Sequence, residues 1–170
     1  VNGDGHLDLL LSSVYNHSLH DNSGLVFVLH GPFGEEVDDV SVFERSAAII
    51  SGTAIDDAAF NVESVGDING DGFGDFVIGA QGNDEGGLDA GAIYLFFGPV
   101  EGNRLVSSAD VKITGTSEEE FLGALTTSSV RNNVMQGVGD VNGDGFSDLL
   151  ISSPFSESYG GVHLIYGGEQ

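Results

Sequence analysis

Three stretches of the chain nearly repeat one another. They are VNGDGHLDLLLSS at the start, DINGDGFGDFVIGA from Asp67 and DVNGDGFSDLLISS from Asp140. A second landmark follows each: VFVLHGP at 26–32, IYLFFGP at 93–99 and VHLIYGG at 162–168. A third, AAIISGT at 47–53, is echoed by VKITGT at 111–116. Asp4 and Asp71 stand 67 residues apart, and Asp71 and Asp144 73. Asp8 to Gly31 and Asp75 to Gly98 both span 23 residues. Landmarks that recur in one order at a near-constant period mean a chain of similar units, each burying its apolar faces against its neighbours.

Each unit reads as short strands. LDLLLSS, DFVIGA and DLLISS are apolar runs of strand length, and LVFVLHG, AIYLFFG and VHLIYG are rich in β-branched and aromatic residues and end at Gly. AIISG and VKITG supply a further strand, and the stretches around NVESVGD and VMQGVGD lead into the acidic loops. Polar, Gly-rich segments such as NDEGGLDAG read as turns. No window carries helical periodicity over three turns; residues 101–110 have room for one helical turn at most. The expected fold is all-β: β-propeller-type blades of four antiparallel strands, about two and a half of them. Their spans are 1–53 (lacking its first part), 54–116 and 117–170 (lacking its outer strand). Continuous apolar runs suit inner strands covered on both faces. A β-sandwich or a β-solenoid is the alternative. The third unit carries an insertion, since Phe60 to Asp67 spans seven residues but Phe121 to Asp140 spans 19. The extra stretch, near TTSSVRNNVM, holds Arg131, one of only four basic residues, and predicts a loop on one face.

In DINGDGFGD, Asp67, Asn69, Asp71 and Asp75 fall at positions 1, 3, 5 and 9, and Phe73 at position 7 offers its carbonyl. DVNGDGFSD repeats this with Asp140, Asn142, Asp144, Phe146 and Asp148. Such a set of hard oxygens from one short loop suits Ca²⁺, which takes six to eight oxygens in flexible geometry; Mg²⁺ wants a stricter octahedron. An EF-hand would need Glu at position 12 between helices, whereas position 12 is Ile78 or Ile151 between strands. An Asx-Gly hairpin turn without metal is the plain alternative for any one copy. The first copy has Asn2, Asp4, His6 and Asp8 at positions 3, 5, 7 and 9 and no position 1. It is expected to bind more weakly, and the chain to be a piece of a longer secreted protein. Further units of the same chain, self-association or open stacking would then cover its ends.

The loops and their placement resemble the FG-GAP repeats that build the β-propeller of integrin α subunits and of many bacterial cell-surface proteins. The resemblance spans nearly the whole chain. It implies that the Ca²⁺ loop joins the first and second strands of a blade. The FG landmark is imperfect: Phe121-Leu122-Gly123 approximates it, and Phe60-Asn61 lacks the Gly. The GAP element is Gly79-Ala80-Gln81 and, more loosely, Ser152-Ser153-Pro154.

The chain has 27 acidic residues against four basic ones, a formal charge of -23, which repels nucleic acid and anionic lipid. No apolar run reaches the length of a membrane span. There is no cysteine, so neither a disulfide nor a thiolate site exists. Candidates for catalysis are thin. His17 and His20 read as a surface pair, His30 and His163 as blade packing, and no GxSxG elbow occurs. Asp56-Asp57 and Glu118-Glu119-Glu120 mimic paired glycosidase carboxylates but read better as edge loops. The expected role is non-catalytic and extracellular: a calcium-stabilised module for adhesion or assembly, with a protein or glycan ligand of unknown identity. A carbohydrate-binding propeller, or an accessory module of a secreted hydrolase, is the alternative; its aromatic candidates are Tyr15, Phe33, Phe155 and Tyr159.

Overall fold

The computed structural model describes residues 1–13, 23–34, 41–53, 59–123, 135–156 and 160–169. Over these the chain is all-β. In chain order the elements are β1 (Leu9–Ser13), β2 (Leu25–Leu29), one helical turn α1 (Val42–Arg45), β3 (Ala48–Ser51), β4 (Ala59–Gly66) and β5 (Asp75–Ala80). There follow β6 (Ala92–Phe96), β7 (Gly102–Leu105), a 3₁₀ turn at Val106–Ser108, β8 (Val111–Thr114), β9 (Met135–Gly139), β10 (Asp148–Ser153) and β11 (Gly161–Ile165). They form three sheets, ordered β1-β2-β3-β7, β4-β5-β6-β8 and β9-β10-β11. The second is a full antiparallel blade. Together they make a partial propeller.

The middle sheet shows why the sequence reads as unbroken apolar runs. Every residue of β5 and β6 is buried. Strand side chains alternate between faces, so each run is two interleaved sets. Phe76, Ile78, Tyr94 and Phe96 join Val26, Val28 and Ile50 of the first sheet. Val77, Ile93 and Leu95 join Met135, Leu149 and Ile151 of the third. Phe76 and Phe96 are register partners, with rings stacked at 5.4 Å and 9°. Burial of side chains this size contributes roughly 1.5–3 kcal/mol each, so the middle blade is held by both neighbours. The outer two sheets expose apolar side chains, among them Leu9 and Leu11 on β1 and Val162 and Leu164 on β11.

One strand falls outside the expected scheme. β7 lies between β6 and β8 in sequence but pairs with β3 of the first sheet, in parallel, from Ala48↔Gly102 to Ser51↔Leu105. The Gly102 N–H donates to the Ala47 carbonyl at 2.8 Å, and buried Val106 plugs the turn into the first core. Residues 101–110 therefore hold the expected single turn and also a strap across two sheets. Among the described residues no helix is long and apolar enough to cross a membrane. Residues 124–134, which hold all of the insertion but Met135 and include Arg131, lie outside the described residues, as do Tyr15, His17, His20, Asp56, Asp57 and Tyr159.

Candidate metal centre

The acidic loops sit where the repeat pattern places them. Residues 67–74 join β4 to β5, and 140–147 join β9 to β10. Their first turn is closed by side-chain oxygens that accept backbone N–H groups. Asp67 accepts from Gly70 (2.7 Å), Asp71 (3.1 Å) and Gly72 (2.9 Å). Asn69 Oδ1 accepts from the Asp71 N–H (3.1 Å), and Asp71 Oδ1 from the Phe73 N–H (2.8 Å). The Asn69 amide donates to Asp71 Oδ2 (2.9 Å). Gly70 and Gly72 have φ of 78° and 88°, the left-handed conformation that a side chain disfavours.

The third loop has the same wiring. Asp140 accepts from Gly143, Asp144 and Gly145, Asn142 Oδ1 from Asp144, and Asp144 Oδ1 from Phe146. The first loop keeps what it has: Asn2 Oδ1 accepts from Asp4 and Asp4 Oδ1 from His6. These donors stabilise the ionised acids. The Gly145 N–H, ahead of those of Gly143 and Asp144, holds Asp140 below the ordinary carboxylate range, and the His6 N–H does the same for Asp4.

The aspartate at position 9 is a buried clamp. Asp75 Oδ2 accepts from Ile68 N–H (2.9 Å) and Oδ1 from Gly98 N–H (2.9 Å). Asp148 does likewise with Val141 (2.8 Å) and Gly167 (2.9 Å), and Asp8 with Asn2 (3.2 Å) and Gly31 (3.0 Å). The clamp ties each loop to a Gly of the second landmark, which explains the spacing of 23 residues from Asp8 to Gly31 and from Asp75 to Gly98; in the third repeat it is 19. These glycines have no room for a side chain. A Cβ on Gly98 would meet the carbonyls of Val1 at 2.5 Å and Gly74 at 2.6 Å. Burial, with the negative charge of Asp71 and Asp67 added, pushes Asp75 up to about 6 against its two N–H donors.

The donor set suits a hard cation: carboxylates, an amide oxygen and carbonyls crowd one loop whose acids repel one another. Among the described residues, however, no three His, Cys, Asp or Glu side chains converge in metal-holding geometry. The loop's acids point their oxygens at N–H groups, so a cation would draw them together on a backbone already turned.

The rings at position 7 do something the sequence reading missed. A Cβ on Gly70 would run into the Phe146 ring, and one on Gly3 would come within 3.0 Å of the Phe73 ring. Each ring covers position 4 of the preceding loop. The signal was present as an aromatic at position 7 facing an invariant Gly one repeat earlier, but pairing them requires the blades to be stacked.

The other described candidates make local contacts or lie buried or exposed on the sheets. Glu120 accepts the N–H groups of Thr116 (2.7 Å) and Ser117 (3.2 Å), which separates it from any paired-acid arrangement with Glu118 and Glu119. Phe155 packs edge-on against Phe121 at 5.7 Å, and Arg45 lies over the Phe33 ring at 5.1 Å. His163 Nε2 stands 3.3 Å from Ser153 Oγ, and His30 Nε2 is buried with no hydrogen bond in the structure.

Stacked sheets of three or four strands, with an acidic Gly-rich loop ahead of β1, between β4 and β5 and between β9 and β10, define a propeller repeat module. The chain carries FG-GAP repeats: the FG-GAP repeat model matches residues 61–96 and 137–165, each running from the loop-entry strand to the third strand of a sheet. Over 163 residues, 94% of the chain, it is 29% identical to rat phosphatidylinositol-glycan-specific phospholipase D, covering 18% of that protein. The mouse form is 30% identical over 92% of the chain and 17% of its own length. Drosophila integrin alpha-PS2 is 34% identical over 110 residues, 59% of the chain and 7% of the integrin. The chain thus spans less than a fifth of the length of these curated relatives.

Proposed function

We propose that the chain is a calcium-stabilised, non-catalytic FG-GAP module of an extracellular protein, presenting blade surfaces to a protein or glycan ligand in adhesion or surface assembly. Asp67, Asn69, Asp71, Asp75 and the Phe73 carbonyl hold Ca²⁺ in the second loop. Asp140, Asn142, Asp144, Asp148 and the Phe146 carbonyl hold it in the third. Asn2, Asp4, Asp8 and the His6 carbonyl form a weaker first site. The observation that carries this reading is the identical wiring of loops 67–75 and 140–148, which crowd acids with no Lys or Arg among them.

The cation supplies positive charge where the fold otherwise buries or crowds negative charge, so its binding energy adds to folding. Extracellular modules bind Ca²⁺ with dissociation constants of about 10⁻⁴–10⁻³ M, which matches a protein that lives in millimolar calcium. Integrin alpha chains and a phospholipase D both match the repeat region, which supports a shared scaffold rather than a shared reaction. Thermal unfolding in Ca²⁺, Mg²⁺ and EGTA tests the reading. It requires Tm to rise with Ca²⁺ and little with Mg²⁺; equal Tm in all three sinks it.

A further inference from the structure

The loops are not independent of one another. The third repeat reaches loop 67–75 by three routes, two from loop 140–148 and one from the segment after β11. The Phe146 ring covers Gly70, the turn residue between Asn69 and Asp71. The Ser147 N–H donates to the Asp67 carbonyl at 2.9 Å. The Gly168 N–H donates to the Ile68 carbonyl at 2.9 Å. Ile68 in turn donates to the Asp75 clamp, and Gly167, beside Gly168, is the clamp partner of Asp148. The first half of the acidic turn 67–75, at Asp67, Ile68 and Gly70, is therefore gripped by the following repeat. Between the first and second loops the grip is lighter: Phe73 covers Gly3, but Pro99 stands where Gly168 donates and has no N–H to give.

From this geometry we infer that cation binding at loops 67–75 and 140–148 is cooperative, and that Phe146 is the positioning residue that couples them. The inference rests on the cation reading above. Filling loop 140–148 draws Asp140, Asp144 and Asp148 together and fixes the carbonyl of Phe146. That pins the Phe146 ring and Ser147 against the Asp67–Asp71 turn, which then loses less freedom when its own cation arrives. Coupling between two sites is reciprocal, and typical values lie in the range of about 5–150-fold in affinity.

The test is a Ca²⁺ titration of the metal-free full chain, read by ¹H–¹⁵N NMR at the Gly72 and Gly145 amides, which lie inside the two loops as donors to Asp67 and Asp140. In Asp144→Asn, the Gly72 response shifts to about fivefold higher Ca²⁺ or more. Asp71→Asn shifts the Gly145 response by the same factor. Phe146→Ala removes the mutual effect while both loops still titrate, and Phe146→Tyr restores it. A purely structural role for Phe146 would lower Tm without making the two sites independent. If Gly72 titrates at its wild-type midpoint in both Asp144→Asn and Phe146→Ala, the coupling is refuted while the calcium reading stands. If neither amide responds to Ca²⁺ in the wild-type chain, both fall together.

Discussion

Asp75→Asn separates the two jobs of the position-9 aspartate, because they respond differently to calcium. Asp75 is fully buried, and its carboxylate takes two backbone N–H groups at 2.9 Å each. Moving its pKa from 3.8 to about 6 corresponds to about 3 kcal/mol against the charged form at neutral pH. Asparagine relieves that penalty. It also turns an NH₂ group toward one of the two N–H donors, which costs about 1–3 kcal/mol. Without calcium the two effects nearly cancel, and the variant should melt within a few degrees of wild type. With calcium the penalty is already offset by the cation, and the variant loses a ligand. A site at a hundredfold over its dissociation constant contributes about 2.7 kcal/mol, which at about 2–4 °C per kcal/mol for a chain of this size means a fall of roughly 5–10 °C. Circular dichroism melts of both proteins in saturating Ca²⁺ and in EGTA give the comparison. An equal drop in both conditions would show that the clamp alone matters and that the charge argument is mistaken.

The same aspartate sets a pH dependence. Its folded pKa lies above its unfolded value, so the ionised group opposes folding, and the metal-free chain should gain stability as pH falls from about 7 through 6 toward 4; melts in EGTA at pH 7 and 5 check this, and lower stability at pH 5 would contradict it. Gly98→Ala should cost about 1–3 kcal/mol or more, because the atoms in its way are the backbone carbonyls of Val1 and Gly74. Gly34→Ala, where nothing lies within 4 Å, is the control and should be close to neutral in urea unfolding. Glu120→Ala frees the Thr116 and Ser117 N–H groups and should cost about 1 kcal/mol by the same assay, with no change in Ca²⁺ response.

The parts of the fold legible in the sequence were those carried by local chemistry. Gly-ended aromatic strands, acidic loops with paired glycines and a constant repeat length each come from forces acting within one unit. The loop's placement between the first and second strands was legible for the same reason. What escaped notice acts between units. Gly102, Asn103, Arg104 and Leu105 carry no β-branched or aromatic residue, and they form a strand because the edge of β3 lies beside them. Phe73 and Phe146 were read for their carbonyls, since a nine-residue window cannot show that their rings fall on the loop before. The spacing from Asp75 to Gly98 was visible, but its cause is a hydrogen bond across the blade. The acids at 118–120 read as an edge loop rather than a catalytic pair, and the cause is Glu120, engaged with the chain just before it.

The strap formed by β7 makes the module directional under load. β3 and β7 run parallel, and β7 is covalently continuous with the middle blade through β6 on one side and β8 on the other. A force peeling the first sheet from the second must therefore strip a strand whose far end is anchored by Val106 in the shared core. A force along the strands instead loads that ladder in shear, where its bonds resist together. No described strand similarly bridges the second and third sheets, whose described union rests on packed side chains, on the loop contacts and on short backbone bonds from residues 119–122 to residues 88–91. Tension across the array should open that junction first, and it is the junction where the two complete acidic loops meet.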